Sequence, residues 1–169
     1  MRRADLARRI RTPWATWRSL VRAPPERFPT NGFPQRTDPA ALVIGPTGLG
    51  LAPNGTLYVA NSLVSAINAI PKAASRSNSA GTGMKITSGG ALNTPLGLIL
   101  APNGDVLTVN GGNGLIVETT PSGMQVAKKF LDRSGSPPGA GALFGLALAP
   151  ANAGVYYVDD AVNTLRLLH

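Results

Sequence analysis

Cysteine is absent from this 169-residue chain, and histidine occurs once, as His169. Without cysteine there is no disulfide, no thiol nucleophile and no cysteine-ligated zinc. A single histidine at the final position argues against a Ser-His-Asp or Cys-His pair and excludes a histidine-based zinc site built by one copy. The phosphate-cradling pattern Gly-x-x-x-x-Gly-Lys-Ser/Thr is missing. Gly111-Gly112-Asn113-Gly114 leads from one strand into another, so it reads as a turn and not as a dinucleotide fingerprint. No stretch approaches the ~18 apolar residues of a membrane-spanning helix. The N-terminus has arginine scattered through it and lacks the uninterrupted apolar segment of a secretory signal. These features assign no compartment.

Charge is sparse and unevenly placed. Residues 1–36 carry nine Arg against Asp5 and Glu26, a net of +7, whereas residues 37–169 carry seven basic against six acidic residues, a net of +1. A nucleic-acid-binding domain is expected to carry its basic residues on the folded surface. Here the excess belongs to a tail, and the remainder gives no strong nucleic-acid signal. Gly (20) and Pro (15) are abundant, which favours many turns and short strands over long helices.

The composition divides the chain into a basic Arg/Pro-rich tail and linker, 1–39, and a repeat region, 40–169. Within the tail, Thr12 and Pro13 can open a helix as N-cap and first-turn residue. Ile10, Trp14, Trp17 and Val21 would then share one face, and Arg11, Arg18 and Arg22 another, until Pro24-Pro25 stops the pattern. Such a helix would suit an anionic lipid surface or nucleic acid through Arg11, Arg18, Arg22, Trp14 and Trp17. The plainer reading is a leader foreign to the fold. Residues 23–39 hold five Pro and read as an extended linker.

The dominant signal is internal repetition. One copy runs Gly48-Leu-Gly-Leu-Ala-Pro-Asn-Gly-Thr-Leu-Tyr-Val-Ala-Asn61, the next Gly97-Leu-Ile-Leu-Ala-Pro-Asn-Gly-Asp-Val-Leu-Thr-Val-Asn110. A third opens with Gly145-Leu-Ala-Leu-Ala-Pro150 and ends in Tyr156-Tyr-Val-Asp-Asp160, with two extra residues in its turn. The opening glycines lie 49 and then 48 residues apart, and the units span about 45–92, 93–141 and 142–169. In the first two, Pro-Asn-Gly makes a hairpin loop: Pro presets φ and Gly accepts the left-handed corner. Return strands are expected at Thr56–Ala60 and Asp105–Val109, third strands at Ser65–Ile70, Leu115–Thr119 and Asn163–Leu168, and fourth strands at Met84–Thr87 and Met124–Phe130. Pro71–Gly83 is expected to be a flexible surface loop. The fold class is therefore all-β: a partial β-propeller of four-stranded antiparallel blades, with an open β-solenoid as the competing architecture.

The repeat resembles the NHL repeat, whose pattern Gly-x-Ala-x-Asp-x-x-Gly-x-x-Tyr-Val-Ala-Asp is similar to the segments quoted. Here Ala52 and Ala101 precede Pro where the family often has Asp, Asn61 and Asn110 replace its terminal Asp, and Asp159-Asp160 keeps the acid. The resemblance covers residues 40–169 and implies a propeller that usually closes with six blades, acting as a non-catalytic binding or scaffold surface for a protein or small-molecule ligand. It is compatible with a secreted or periplasmic location. Three blades are too few to close a ring. The chain is then either a fragment or half of a homodimer that completes a propeller, and Ala41–Ile44 is the candidate to supply the third blade with its fourth strand. An unclosed set of blades should expose apolar faces and associate.

Asn61, Asn110 and Asp159 or Asp160 recur at one repeat position, after the second strand. Around a propeller axis such oxygens would suit Ca²⁺ or another hard divalent cation. The resemblance extends this to gluconolactonase-like propellers, which hold a divalent metal with Asn, Asp and Glu, and so to a metal-dependent lactonase or hydrolase. Glu118, the one Glu of the repeat region, sits in a third strand and matches that pattern poorly. The alternative role for the Asn and Asp residues is to cap turns through backbone N–H groups. Tyr58, Tyr156 and Tyr157 are expected to pack in the interior, or else to form a sugar-stacking platform. No catalytic residue is assigned.

Overall fold

The computed structural model describes residues 29–39 and 42–169. Three consecutive antiparallel meanders form three blades of a β-propeller. The first comprises β3 (Pro46–Leu51), β4 (Leu57–Asn61), β5 (Ala66–Ile70) and β6 (Met84–Ser88) in spatial order. The second comprises β7 (Pro95–Leu100), β8 (Val106–Asn110), β9 (Leu115–Thr119) and β10 (Gln125–Phe130). The third has three strands, β11 (Leu143–Leu148), β12 (Val155–Asp159) and β13 (Thr164–Leu168). A separate two-stranded ribbon pairs β1 (Arg36–Asp38) with β2 (Leu42–Ile44). This corrects one expectation. The 41–44 segment does not close the third blade: Leu42–Ile44 pairs with Arg36–Asp38 in a separate ribbon, and the third sheet consists of β11, β12 and β13.

The hairpins follow from their turn residues. Gly55 and Gly104 adopt φ of +82° and +89°, the left-handed corner that a Cβ would penalise. Their N–H groups donate to Ala52 and Ala101 O (both 2.9 Å), while Ala52 N and Ala101 N donate to Thr56 and Asp105 O (both 2.8 Å). Asn54 and Asn103 complete each loop by accepting from the N–H of Thr56 (2.9 Å) and Asp105 (3.0 Å). The third turn is one residue longer and not two, since Leu148 pairs with Val155 where Leu100 pairs with Val106, and it folds into a short 3₁₀ segment, Pro150–Asn152.

The first strands β3, β7 and β11 are sheet edges, and they pack consecutively on one another, so they line the propeller axis. Close approach there depends on the opening glycines. A Cβ on Gly48 would overlap the Leu96 carbonyl oxygen and come to 2.5 Å from Leu98 N. One on Gly97 would overlap the Phe144 carbonyl oxygen and stand 3.0 Å from Val109 Cγ2. Each first pair also shifts register around its glycine, between Pro46 and Leu49, Pro95 and Leu98, and Leu143 and Leu146.

The core lies between blades. Tyr58, Ala60, Ile67 and Ala69 of the first sheet pack on Leu98, Val106, Leu115 and Val117 of the second. Val109 and Ile116 of the second then meet Ala142, Leu143 and Tyr157 of the third. Alternation along β8 explains the double use: Val106 points to one neighbour, Val109 to the other. Polar side chains stitch the blades together. Gln125 on the outer strand β10 accepts from Ala91 N (2.8 Å) and donates to Gly89 O (2.9 Å), while the buried Ser62 donates to Pro95 O at the start of β7 (2.7 Å).

Two segments differ in detail from expectation. Within 71–83, a 3₁₀ turn at Ala73–Ser75 is anchored by Ala73 N to Gly55 O (2.9 Å), and Ala73 is buried under the first sheet. Residues 29–35, assigned to the linker, run along the outer face of the first sheet. There Ala80 N donates to Pro29 O and Asn31 N to Gly81 O (both 2.9 Å), and Phe33 packs on the Val59–Ile70–Ala73 cluster.

Candidate functional site

Asn61, Asn110 and Asp159 are each the last residue of a second strand, inside the ladder and not after it. Their register partners are Pro46, Pro95 and Leu143, the first residues of β3, β7 and β11, so all three sit at the same end of their sheets. All three are buried, at 2%, 0% and 0% exposure. Strand alternation aims each toward the preceding side of its sheet, Asn110 into the joint between first and second blades and Asp159 into the joint between second and third. The following residues make matching backbone bonds at this end: Ser62 N to Gly45 O (3.0 Å), Gly111 N to Thr94 O (2.9 Å) and Asp160 N to Ala142 O (2.7 Å).

Their hydrogen bonding departs from simple turn capping. Asn110 Nδ2 donates to Ala91 O (2.7 Å) and to Asn113 Oδ1 (2.9 Å), tying the second sheet to the chain leaving the first. Asn113, which the sequence reading passed over, does the capping, accepting from Leu115 N (3.3 Å). The side-chain oxygens Asn61 Oδ1, Asn110 Oδ1 and both oxygens of Asp159 are buried and have no hydrogen-bond partner among the described residues. Buried acceptors are normally satisfied. One repeat position therefore presents unsatisfied oxygen in every blade, and only in the third is that oxygen charged.

Asp159 meets its charge partner on the neighbouring strand: Arg166 Nη1 lies 3.4 Å from Asp159 Oδ2. Asp160 is exposed and begins a 3₁₀ turn, Asp160–Val162. Together with Asn163 and Thr164, Asp159 and Asp160 line a shallow cavity of about 230 Å³ at the β12–β13 turn. Asp159 and Asp160 both border this cavity, but the Asp159 carboxylate oxygens are buried and face the joint between the second and third blades, and Asn61 and Asn110 belong to other sheets. Among the described residues no group of three or more His, Cys, Asp and Glu side chains lies together. As a test of fit for a hard cation, the oxygen donors at the third blade are of the right type. The Arg166 guanidinium opposes it and must swing aside.

Tyr58 and Tyr157 are buried in the two inter-blade clusters, and burial pushes the Tyr58 phenol above its ordinary value. Tyr156 is half-buried. Glu118 stands at the second blade's rim, within reach of Asn103 Nδ2 (3.3 Å) and away from Asp159 in the sheet order. The tail residues Arg11, Arg18, Arg22, Trp14 and Trp17 lie outside the described residues. Among the described residues no helix is long and apolar enough to cross a membrane.

A second concavity lies on the axis. The ends of β3, β7 and β11 and the first two hairpin loops enclose a groove of about 520 Å³, lined by Leu51, Ile99, Leu100, Pro102 and Leu148 among others. Among the described residues no charged side chain lines it. Sequence reasoning missed this groove. The signal was the apolar run Gly-Leu-x-Leu-Ala-Pro in each copy, which marked buried strands without showing that their ends converge.

The sequence matches no known family profile and no curated protein sequence. Structures similar to it are propeller proteins. A catalytically inactive virginiamycin B lyase from Staphylococcus aureus with quinupristin is 18% identical at a TM-score of 0.55, over 71% of this chain and 36% of that one. A streptogramin B lyase is 15% identical at 0.53, over 79% and 44%. Regucalcin from Agrobacterium tumefaciens, described as a calcium-binding protein, is 15% identical at 0.55, over 72% and 45%. At these identities the likeness concerns the fold, and the chain spans less than half the length of each.

Proposed function

We propose that this chain contributes a propeller-type binding platform of the NHL-repeat kind, non-catalytic, which takes apolar ligand groups at its axis. The observation that carries this is the groove where three first strands end, lined without charge by leucine, isoleucine and proline. A concave apolar surface on rigid strands is the usual form of a ligand site. The anionic apolar probe 1-anilinonaphthalene-8-sulfonate should bind saturably, and Leu148→Asp, which introduces a charge into the groove wall, should weaken that binding about tenfold or more. Binding unchanged by Leu148→Asp would remove the groove from the proposal.

A second reading rests on the unsatisfied oxygens. A divalent cation at the end of β12 would take the buried Asp159 carboxylate as its charged ligand, with Asp160 next to it in the chain and Asn61 and Asn110 marking the same position in the other blades. The regucalcin-like fold supports this only as analogy. A bound cation would supply the Lewis acidity that a lactonase-type hydrolase requires, so cation binding is tested first. Ca²⁺, Mn²⁺ or Zn²⁺ at a hundredfold excess over its dissociation constant should raise stability by about 2.7 kcal/mol through mass action, and Asp159→Asn should abolish the shift. A melting temperature indifferent to all three ions would eliminate this reading.

A further inference from the structure

The sequence contains five Asn-Gly pairs, at 31–32, 54–55, 103–104, 110–111 and 113–114. Such a pair is the arrangement most open to spontaneous loss of the side-chain amide, because glycine sets no Cβ beside its own N–H. In that reaction the glycine nitrogen attacks Asn Cγ. A new C–N bond closes a cyclic succinimide, and the side-chain nitrogen leaves as ammonia with the proton that the glycine N–H gives up. Water then opens the ring at either carbonyl. One opening leaves an ordinary aspartyl residue. The other leaves the main chain running through Cβ and Cγ, an isoaspartyl linkage. The step requires an amide free to rotate and a glycine N–H free to approach it.

Four of the five pairs are held. Asn54 and Asn103 accept from Thr56 N (2.9 Å) and Asp105 N (3.0 Å), while Gly55 N and Gly104 N donate to Ala52 and Ala101 O (both 2.9 Å). Asn110 is fully buried, its Nδ2 donates to Ala91 O (2.7 Å), and Gly111 N donates to Thr94 O (2.9 Å). Asn113 Oδ1 accepts from Asn110 Nδ2 (2.9 Å) and Leu115 N (3.3 Å), and Gly114 is so enclosed that a Cβ there would overlap Asp132 O. Asn31 differs. It and Gly32 are both exposed, and among the described residues neither the Asn31 side-chain amide nor Gly32 N makes a hydrogen bond. A Cβ built on Gly32 would meet nothing within 4 Å, and a cavity of about 840 Å³ opens beside the pair, so the side chain has room to turn and water has access.

The position of this pair gives the reaction a consequence. Residues 29–35 form a strap that is fastened on both sides of the Asn31–Gly32 bond. Before it, Pro29 O accepts from Ala80 N (2.9 Å), and Thr30 Oγ1 and Asn31 N both donate to Gly81 O, the latter at 2.9 Å. After it, Phe33 packs on the Val59–Ile70–Ala73 cluster of the first blade. We infer that Asn31 is the site of spontaneous deamidation in the folded protein, and that its conversion releases the strap from the first blade. The isoaspartyl product lengthens the main chain between the two fastenings by one carbon–carbon bond, about 1.5 Å. Both products also put a negative charge where a neutral amide stood. The fastenings then no longer match, and a segment held by so few buried contacts opens locally without unfolding the sheets.

The full chain is incubated at mildly alkaline pH, in buffer and in concentrated urea. Peptide mapping by mass spectrometry follows each Asn-Gly site, with electron-based fragmentation to separate aspartyl from isoaspartyl products. In buffer Asn31 should convert about tenfold or more faster than any of the other four, which must open locally before they react. In urea the five rates should draw together. Hydrogen exchange on the aged protein should be faster at Ala80 N, which loses Pro29 O as its acceptor, and an Asn31→Gln chain aged alongside should keep the exchange of fresh protein. Asn31→Asp carries the charge without the longer chain and should show a smaller acceleration. Conversion at Asn54, Asn103, Asn110 or Asn113 as fast as at Asn31 in buffer would overturn the inference. So would an Asn31 that stays intact while the urea sample converts, or a converted strap with unchanged exchange at Ala80.

Discussion

Gly97→Ala is expected to lower stability by about 3 kcal/mol, the upper part of the range for overpacking a well-packed core. For a chain of this size that is a fall in melting temperature of roughly 10 °C. The usual consequence of Gly→Ala at an unstrained position is a gain of about 0.4–1 kcal/mol, because alanine restricts the unfolded chain. Gly97 has an ordinary φ, so that gain is available. What reverses the sign is the third blade: the new Cβ falls on the Phe144 carbonyl oxygen, and a strand backbone cannot turn aside as a side chain can. Relief would require β7 and β11 to separate, which opens the Val109–Leu143–Tyr157 cluster. Gly145→Ala, whose Cβ would meet only Val158 Cγ2 at 3.4 Å, is the internal control and should be close to neutral. Thermal or urea denaturation of the pair decides the matter, since equal effects would mean that the glycines do not mark blade joints.

Arg166→Met is expected to cost about 2 kcal/mol, less than the loss from a fully buried pair, because Asp159 is buried but the Arg166 side chain is itself 42% exposed. Asp159 is fully buried, and among the described residues its oxygens accept no hydrogen bond and its ion pair is with Arg166, at 3.4 Å. The stem of methionine covers much of what the arginine stem covers, so the loss isolates the charge. Adding Asp159→Asn to Arg166→Met removes the stranded charge and should recover most of the stability. Urea denaturation of the two single variants and the double variant measures the coupling. An Arg166→Met variant within about 0.5 kcal/mol of wild type would show that Asp159 does not depend on this pair. The same variant bears on the cation reading, because removing the opposing guanidinium should tighten divalent-ion binding at Asp159 and Asp160.

The hairpins were legible because their physics is local. Pro53-Asn54-Gly55 and Pro102-Asn103-Gly104 carry the φ preferences and side-chain acceptors that the loops use, so residue order alone dictates them. The third strand Leu115–Thr119 has the bounds that its apolar run predicts. Other strand ends moved by a residue, and the move matters at Asn61 and Asn110. As members of the ladder they point between blades, not out of a turn. The 41–44 segment was misassigned because a short apolar run states that it will pair without stating with what. Arg36–Asp38 is near to it in the sequence, and the two pair as a ribbon.

By itself the sequence determined the repeat, its period, the turn at each Pro-Asn-Gly and hence the all-β blade, since each depends on neighbours within a few residues. It also confined the basic excess to residues 1–36. Only the tertiary structure decided which faces are buried and which stand open. Val109 and Val158 are the same residue at the same repeat position, yet one is buried at 0% exposure and the other is 40% exposed. Nothing local distinguishes them. The difference is whether another blade lies against the sheet, and burial is a property of that packing and not of the residue.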